Sequence, residues 1–384
     1  MRDYRPQIIS SLAEISEQDW NGCCYNATTR HNPFLSYHFL NALEESGCAT
    51  AETGWQAQHI ILRRDDRVVG IMPLYLKNHS RGEYVFDHAW ANAYHTAGGH
   101  YYPKLQCSLP FTPVTSQKLL VLPVENQQEV YDNLLAAALT LTKELEVSSL
   151  HVTFAEQQEW DFMAEHGFLK RLDQQFHWLN EGYVTFDDFL MALSSRKRKN
   201  IRKERKQAVI GGIDIEVLTG TEITEEHWDH YFSFYLDTSN RKWGQAYLNR
   251  PFFSLLGQGM ADKIVLIMCK RDNRYIAGAL NLLSDDTLYG RYWGATEDHR
   301  YLHFEVCYYQ AIDYAIRHGL KKVEAGAQGE HKLARGYRPT STYSAHWISN
   351  PSFRRAVADY LVHERDAILA DQEFLTTFTP FKKD

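Results

Sequence analysis

The chain has 384 residues, of which 44% are hydrophobic and 23% charged, a balance that suits two folded domains and excludes a disordered chain. The net charge of −7 excludes a surface that is basic throughout, so any polyanion must meet a local patch. No run approaches the ~20 apolar residues of a membrane span. The opening MRDYRPQIISSLAEISEQDW is too polar for a signal peptide, and the expected location is cytoplasmic.

In chain order, Tyr37 to Ser46 reads as a helix. His59 to Lys77 reads as two strands joined by a turn at Asp65-Asp66, since short polar residues between β-branched and aliphatic runs signal a hairpin. Trp90 to Val114 is a long segment rich in aromatics, glycine and proline, read as a loop whose His95, Tyr101 and Tyr102 line a cleft or pack as a lid. A helix near Gln127 to Leu145 and a strand over Ser148 to Phe154 follow. All six cysteines lack CxxC spacing and read as free thiols.

Arg196 to Lys206 holds eight cations and one acid in eleven residues. Its composition predicts a basic helix over residues 195–208, ended by Gly211-Gly212 before the strand Ile213 to Leu218. This helix is either a solvated face or a phosphate- or RNA-binding one, with Lys199, Arg202 and Arg205 as the contacts. Helices over Glu225 to Asp237 and Pro251 to Met260 come next, with Trp243 just beyond the first. Lys263 to Leu283 then repeats the earlier hairpin with its turn at Asp272-Asn273. The echo of RDDRVVG in RDNRYIAG indicates a duplicated unit. After it come a strand Leu288 to Gly294, a helix near Glu305 to His318 and a strand Lys322 to Ala325. Each half therefore reads as strand, helices, antiparallel strands, helix and strand. The expected class is α/β, an α+β mixed sheet covered by helices, with domains at residues 1–180 and 181–384.

The last strand runs into GAQGEHKLARGYRP. Gln328, Glu330, His331, Lys332, Arg335 and Arg338 fall within eleven residues, interleaved with glycines. Loops at strand ends are where binding and catalytic groups gather.

The duplicated unit resembles the GNAT acyltransferase fold in tandem. The basic segment RKNIRKERKQAVIGGIDIEV and the late Lys332-Leu-Ala-Arg335-Gly-Tyr loop are similar to features of Fem-type aminoacyltransferases. The blocks YYPKLQCSLPFTPV, RKWGQAYLNRPFF, YGRYWGA and GAQGEHKLARGYRP resemble a Fem-like proteobacterial family of peptidoglycan biosynthesis/recognition proteins. The resemblance implies two GNAT-like domains and transfer of an acyl or aminoacyl group to an amine on a peptide, amino acid or cell-wall precursor. No glycine-rich pyrophosphate turn opens either central helix, so an aminoacyl-tRNA-like donor is favoured over acyl-coenzyme A. Both stay open as co-substrates, as does a non-catalytic precursor-binding protein. The implied partners are that amine acceptor and tRNA, with no integral membrane contact.

Acyl transfer needs a proton acceptor, donors for the oxyanion and alignment of two substrates. Glu330 or His331 can take the proton. Gln328, Lys332, Arg335 and Arg338 can hold a phosphate or carboxylate. On the strand Leu288 to Trp293, Arg291 and Trp293 share a face by period two, and His303 and Glu305 stand near the start of the central helix. Trp243 can stack a ring or a peptide. His299, His303 and Glu305 complete no HExxH pattern, so no metal is expected. Serine-hydrolase elbows, Walker loops and paired-carboxylate motifs are absent from the sequence.

Overall fold

The computed structural model describes residues 4–25, 31–243, 246–326 and 329–382, without the side chains of residues 242, 243 and 330. The first half opens with β1 (Arg5–Ile9), α1 (Glu17–Cys24) and α2 (Tyr37–Glu45). It continues through β2 (Trp55–Ala57), β3 (His59–Arg64), β4 (Arg67–Met72), β5 (Tyr75–Lys77), α3 (His88–Thr96) and β6 (Lys104–Cys107). Then come β7 (Leu120–Val121), α4 (Gln127–Glu144), β8 (Ser149–Ala155), α5 (Gln157–Glu165) and β9 (Leu169–Leu179). The second half holds α6 (Phe186–Ala192), α7 (Ser195–Ala208), β10 (Ile213–Thr219), α8 (Glu225–Trp243), α9 (Arg250–Met260), β11 (Ile264–Arg271), β12 (Arg274–Leu283) and β13 (Thr287–Ala295). A helical stretch over residues 302–317, α10, precedes β14 (Lys322–Glu324), β15 (Arg338–Ile348) and α11 (Pro351–Thr376).

Local chemistry explains many of these boundaries. Ser36, Asn126 and Asn249 each accept backbone N–H bonds at the starts of α2, α4 and α9, and Pro251 adds a pre-set φ to the last. Thr185 and Asp188 form a capping box on α6. Both hairpin turns use two residues at positive φ, Asp65 and Asp66 in one and Asp272 and Asn273 in the other. That is the turn whose twist matches paired strands. Both hairpins also carry a register shift one step from the turn-side end of their first strand, after Leu62 and after Cys269.

The chain forms two compact units, residues 1–173 with 341–370, and residues 174–340 with 371–384. They are discontinuous, unlike the contiguous halves expected from the sequence, because β9, β15 and α11 each run through a division. In the first unit β1, β3, β4 and β7 form one sheet, while β2, β5, β6 and β8 lie in another with residues 343–348 of β15 beside β8. β6 and β8 run parallel there. The stretch from Trp90 is no structureless loop, since α3 and β6 occupy much of it. Ile60, Val69, Leu134 and Leu150 belong to this unit's core. In the second unit the strand order is β10-β11-β12-β13-β14, closed by residues 177–179 of β9. β13 and β14 are parallel. α10 packs on this sheet through Val306, Tyr309 and Ile312, beside Ile201 of α7 and Val323 of β14.

Each unit thus carries an Asp-led hairpin, a central helix and one parallel strand pair, a mixed sheet duplicated in tandem. Close packing in the second unit leaves no room for a side chain at Gly294. A Cβ there would sit 2.2 Å from the backbone of Phe234 in α8. Gly294→Ala is expected to cost about 1–3 kcal/mol or more, because an overfilled contact must push the helix off the sheet. Denaturant unfolding of the variant against the native chain checks this.

Candidate active site

The parallel pair of the second unit is short. Thr287, Leu288 and Tyr289 pair with Lys322, Val323 and Glu324, and beyond that point the strands part. On its other side β13 slips register against β12 between Leu280↔Tyr292 and Asn281↔Gly290, so Arg291 is the extra residue of a bulge. Parting and bulge together open a cavity of about 90 Å³ in the sheet, lined by Asn281, Gly290, Arg291, Trp293, His303, Cys307, Tyr308 and Ala325. Ligands favour such places, where adjacent strands separate and leave backbone groups free. Over it lies the part of α10 from Glu305 to Gln310, which is wound as a π-helix, a form often found at functional sites.

A buried charge set holds the seam. Glu324 accepts from Lys322 Nζ at 2.7 Å and lies 3.6 Å from the guanidinium of Arg291 and 4.0 Å from His177 Nε2. Burial pushes the Glu324 pKa up, but the neighbouring His177, Lys322 and Arg291 outweigh it and hold the carboxyl below its usual range. Burial drives His177 itself down to about 4. At neutral pH the carboxylate therefore relies on Lys322 and Arg291.

Lys332 comes from the turn Glu330–Arg335 after β14. Its side chain is 2% exposed and donates to the carbonyl of Gly326 at 2.9 Å. No carboxylate pairs with it among the described residues. Burial, with repulsion from Arg291, lowers its pKa to about 7. A lysine poised there can act as base or as cation near neutrality. His331 is exposed, and its Nε2 lies 2.8 Å from the hydroxyl of Tyr308, which borders the cavity. Burial raises the Tyr308 pKa and keeps the phenol protonated.

The chain matches the FemAB-like family, described as peptidoglycan biosynthesis/recognition, over residues 11–383. It belongs to that family. Solved structures share the fold at low identity. FemX matches at a TM-score of 0.55 and 12% identity, covering 90% of this chain and 98% of its own. The C-terminal domain of a putative lysylphosphatidylglycerol synthetase from Agrobacterium fabrum matches at 0.53 and 8%, covering 92% and 97%. A tandem GNAT protein from the clavulanic acid biosynthesis pathway matches at 0.50 and 13%, covering 91% and 99%. No curated protein matches in sequence. Membership of that family makes the chain an acyl/aminoacyltransferase.

In this FemAB-like protein the residues singled out in the sequence separate into three groups. Arg291, Trp293 and His303 line the cavity, with the His303 ring 5.5 Å from that of Trp293, and Lys332 and His331 reach its surroundings. A second group is spent on internal ion pairs. Arg335 pairs with Glu204 of α7 at 3.0 Å and covers the Phe304 ring, and Arg338 pairs with Glu181 at 2.7 Å. Glu305 is buried against Arg205 at 3.1 Å rather than facing the cavity, so Arg205 turns inward instead of offering its charge to a phosphate. Arg202 pairs with Asp187, while Lys199 is exposed. The third group lies in the first unit. There His95 is exposed, Tyr101 donates to Asp87 at 2.7 Å, and the Tyr102 hydroxyl meets Ser80 at 2.8 Å. Gln328 and the side chains of Trp243 and Glu330 lie outside the described residues. Sequence reasoning missed Glu324, His177, Lys322 and Tyr308. A glutamate inside the apolar run Val323 to Ala325 was the available signal for the first.

Glu324→Gln keeps the shape and strands the buried Arg291 cation, a change expected to cost about 3–5 kcal/mol at neutral pH. Because the carboxyl titrates lower in the folded chain than in the unfolded one, its stabilisation is present above the usual carboxylate range. It is lost as pH falls through the folded value. The gap between variant and native chain should therefore narrow on acidification, as read from denaturation curves at a series of pH values.

Proposed function

We propose that this protein moves an aminoacyl group from an aminoacyl-tRNA-like ester to the amine of a peptide-bearing cell-wall precursor at the seam between β13 and β14. The buried Lys332, held near neutrality beside the cavity with no carboxylate partner among the described residues, carries the reading. The acceptor amine attacks the ester carbonyl. A C–N bond forms and the ester C–O bond breaks. Neutral Lys332 takes the proton of the attacking amine. Tyr308 protonates the departing oxygen and recovers a proton from water through the exposed His331 ring, and Lys332 gives its proton back to water before the next turnover. Arg291 and backbone N–H groups past Glu324 supply positive potential for the oxyanion.

The donor choice rests on the start of α10. Its first turn is Leu302–Phe304, after Tyr301 at positive φ, with Glu305 buried behind it. Bulky rings and a carboxylate replace the glycines that would let a coenzyme A pyrophosphate approach the backbone N–H groups. Acyl-coenzyme A is the competing donor from the same class.

The test supplies aminoacyl-tRNA or acyl-coenzyme A together with muramyl-peptide precursors, and reads amide formation by mass spectrometry. Transfer from the tRNA ester is expected, and transfer from the thioester alone would overturn the donor assignment. Activity should rise with pH through about 7 as Lys332 loses its proton. Lys332→Met should lose roughly 10²–10⁴-fold in kcat while still binding the acceptor. Unchanged turnover in that variant would remove Lys332 from the chemistry.

A further inference from the structure

α7 presents two unlike faces. Ile201, Glu204, Arg205 and Ala208 turn inward, where Ile201 joins the core and Glu204 and Arg205 make ion pairs with Arg335 and Glu305. Arg196, Lys199, Arg202, Lys203 and Lys206 are exposed. At 3.6 residues per turn these five fall within about a third of the helix circumference, opposite the inward set. Of the five, Arg202 has an acid partner in Asp187.

Apolar side chains flank this stripe at both ends. Met191, whose sulfur accepts from Arg198 of the helix at 3.3 Å, is 51% exposed just before it, and Val209 is 40% and Ile210 64% exposed just after it. α7 itself has no aromatic ring on which a base could stack. Cations in a stripe beside exposed aliphatic groups match a surface that is anionic outside and apolar just beneath.

We propose that the exposed face of α7, with Met191, Val209 and Ile210, rests on an anionic phospholipid bilayer. The cations meet lipid phosphates and the aliphatic side chains enter the acyl boundary. With −7 overall, the rest of the surface is repelled by such a bilayer, so the contact also orients the chain. The inference holds whichever donor the transfer site uses.

Flotation of the full chain with vesicles tests it, using phosphatidylglycerol–phosphatidylcholine mixtures against phosphatidylcholine alone. Binding is expected only to the anionic vesicles and should weaken with salt. Each cation is worth about fivefold in partitioning, so the triple variant Lys199→Glu, Lys203→Glu, Lys206→Glu should lose at least about a hundredfold. Ile210→Ser should lower, severalfold, the binding that survives high salt. No flotation with anionic vesicles, or equal flotation with neutral ones, would overturn the proposal. So would displacement of the chain from vesicles by bulk tRNA with Ile210→Ser indistinguishable from native, which would make the face a nucleic-acid surface. Circular dichroism melts of the variants separate these outcomes from misfolding.

Discussion

Everything around the seam depends on one buried carboxylate. Glu324 is the last residue of β14 to pair with β13, and it is 2% exposed. A charge in that position is costly unless it is compensated at short range. Lys322, two residues earlier on the same strand, supplies one partner, and Arg291, the bulge residue of β13, supplies another. The bulge is thus tied to the point where the parallel pair ends. Gly290, beside it, allows the close approach. A Cβ there would come within 3.3 Å of Asn281 Oδ1 and 3.5 Å of the Glu324 carbonyl. The opening is a consequence of electrostatics as much as of strand geometry.

Two cations of the strand-end loop show how context separates residues that look alike in sequence. Arg335 is buried but has Glu204 at 3.0 Å and the Phe304 ring beneath it, so its charge is neutralised locally. It anchors the loop to α7. Lys332 is buried without such a partner among the described residues and has only a carbonyl to donate to. The first arrangement favours a fixed charge, the second a proton that is easily lost. Arg335 therefore suits structure, and Lys332 suits chemistry.

The same contrast explains what was legible beforehand. Both hairpins, the central helices and the basic helix follow from local rules of turn residues, periodicity and composition. They match the structure closely, since 195–208 was expected and Ser195–Ala208 is found. The tandem fold was legible for the same reason, because the echo RDDRVVG/RDNRYIAG sits at turns that local chemistry dictates. What was not legible depends on residues far apart in the chain. The Arg205–Glu305 pair spans 100 residues and the Arg335–Glu204 pair 131. No window of sequence reveals that these charges cancel. The π-helical winding of Glu305–Gln310 and the passage of β9, β15 and α11 through both units are likewise tertiary outcomes.

Among the described residues each unit has a parallel strand pair, and the two pairs are lined differently. In the first unit β6 and β8 pair through Leu105↔Leu150, Gln106↔His151 and Cys107↔Val152. On its other side His151 lies opposite His346, as Glu324 lies opposite His177. Here too a buried lysine reaches a carbonyl just past the pair, since Lys118 Nζ donates to Phe154 at 2.9 Å. Yet the Ser116 N–H donates to that same carbonyl at 3.0 Å, and Ser116 also caps Lys118 through its hydroxyl and carbonyl. The polar pair at its centre is two histidines whose Nδ1 atoms lie 2.7 Å apart, both driven down by burial and neutral. In this seam the lysine is taken up by Ser116 and the Phe154 carbonyl.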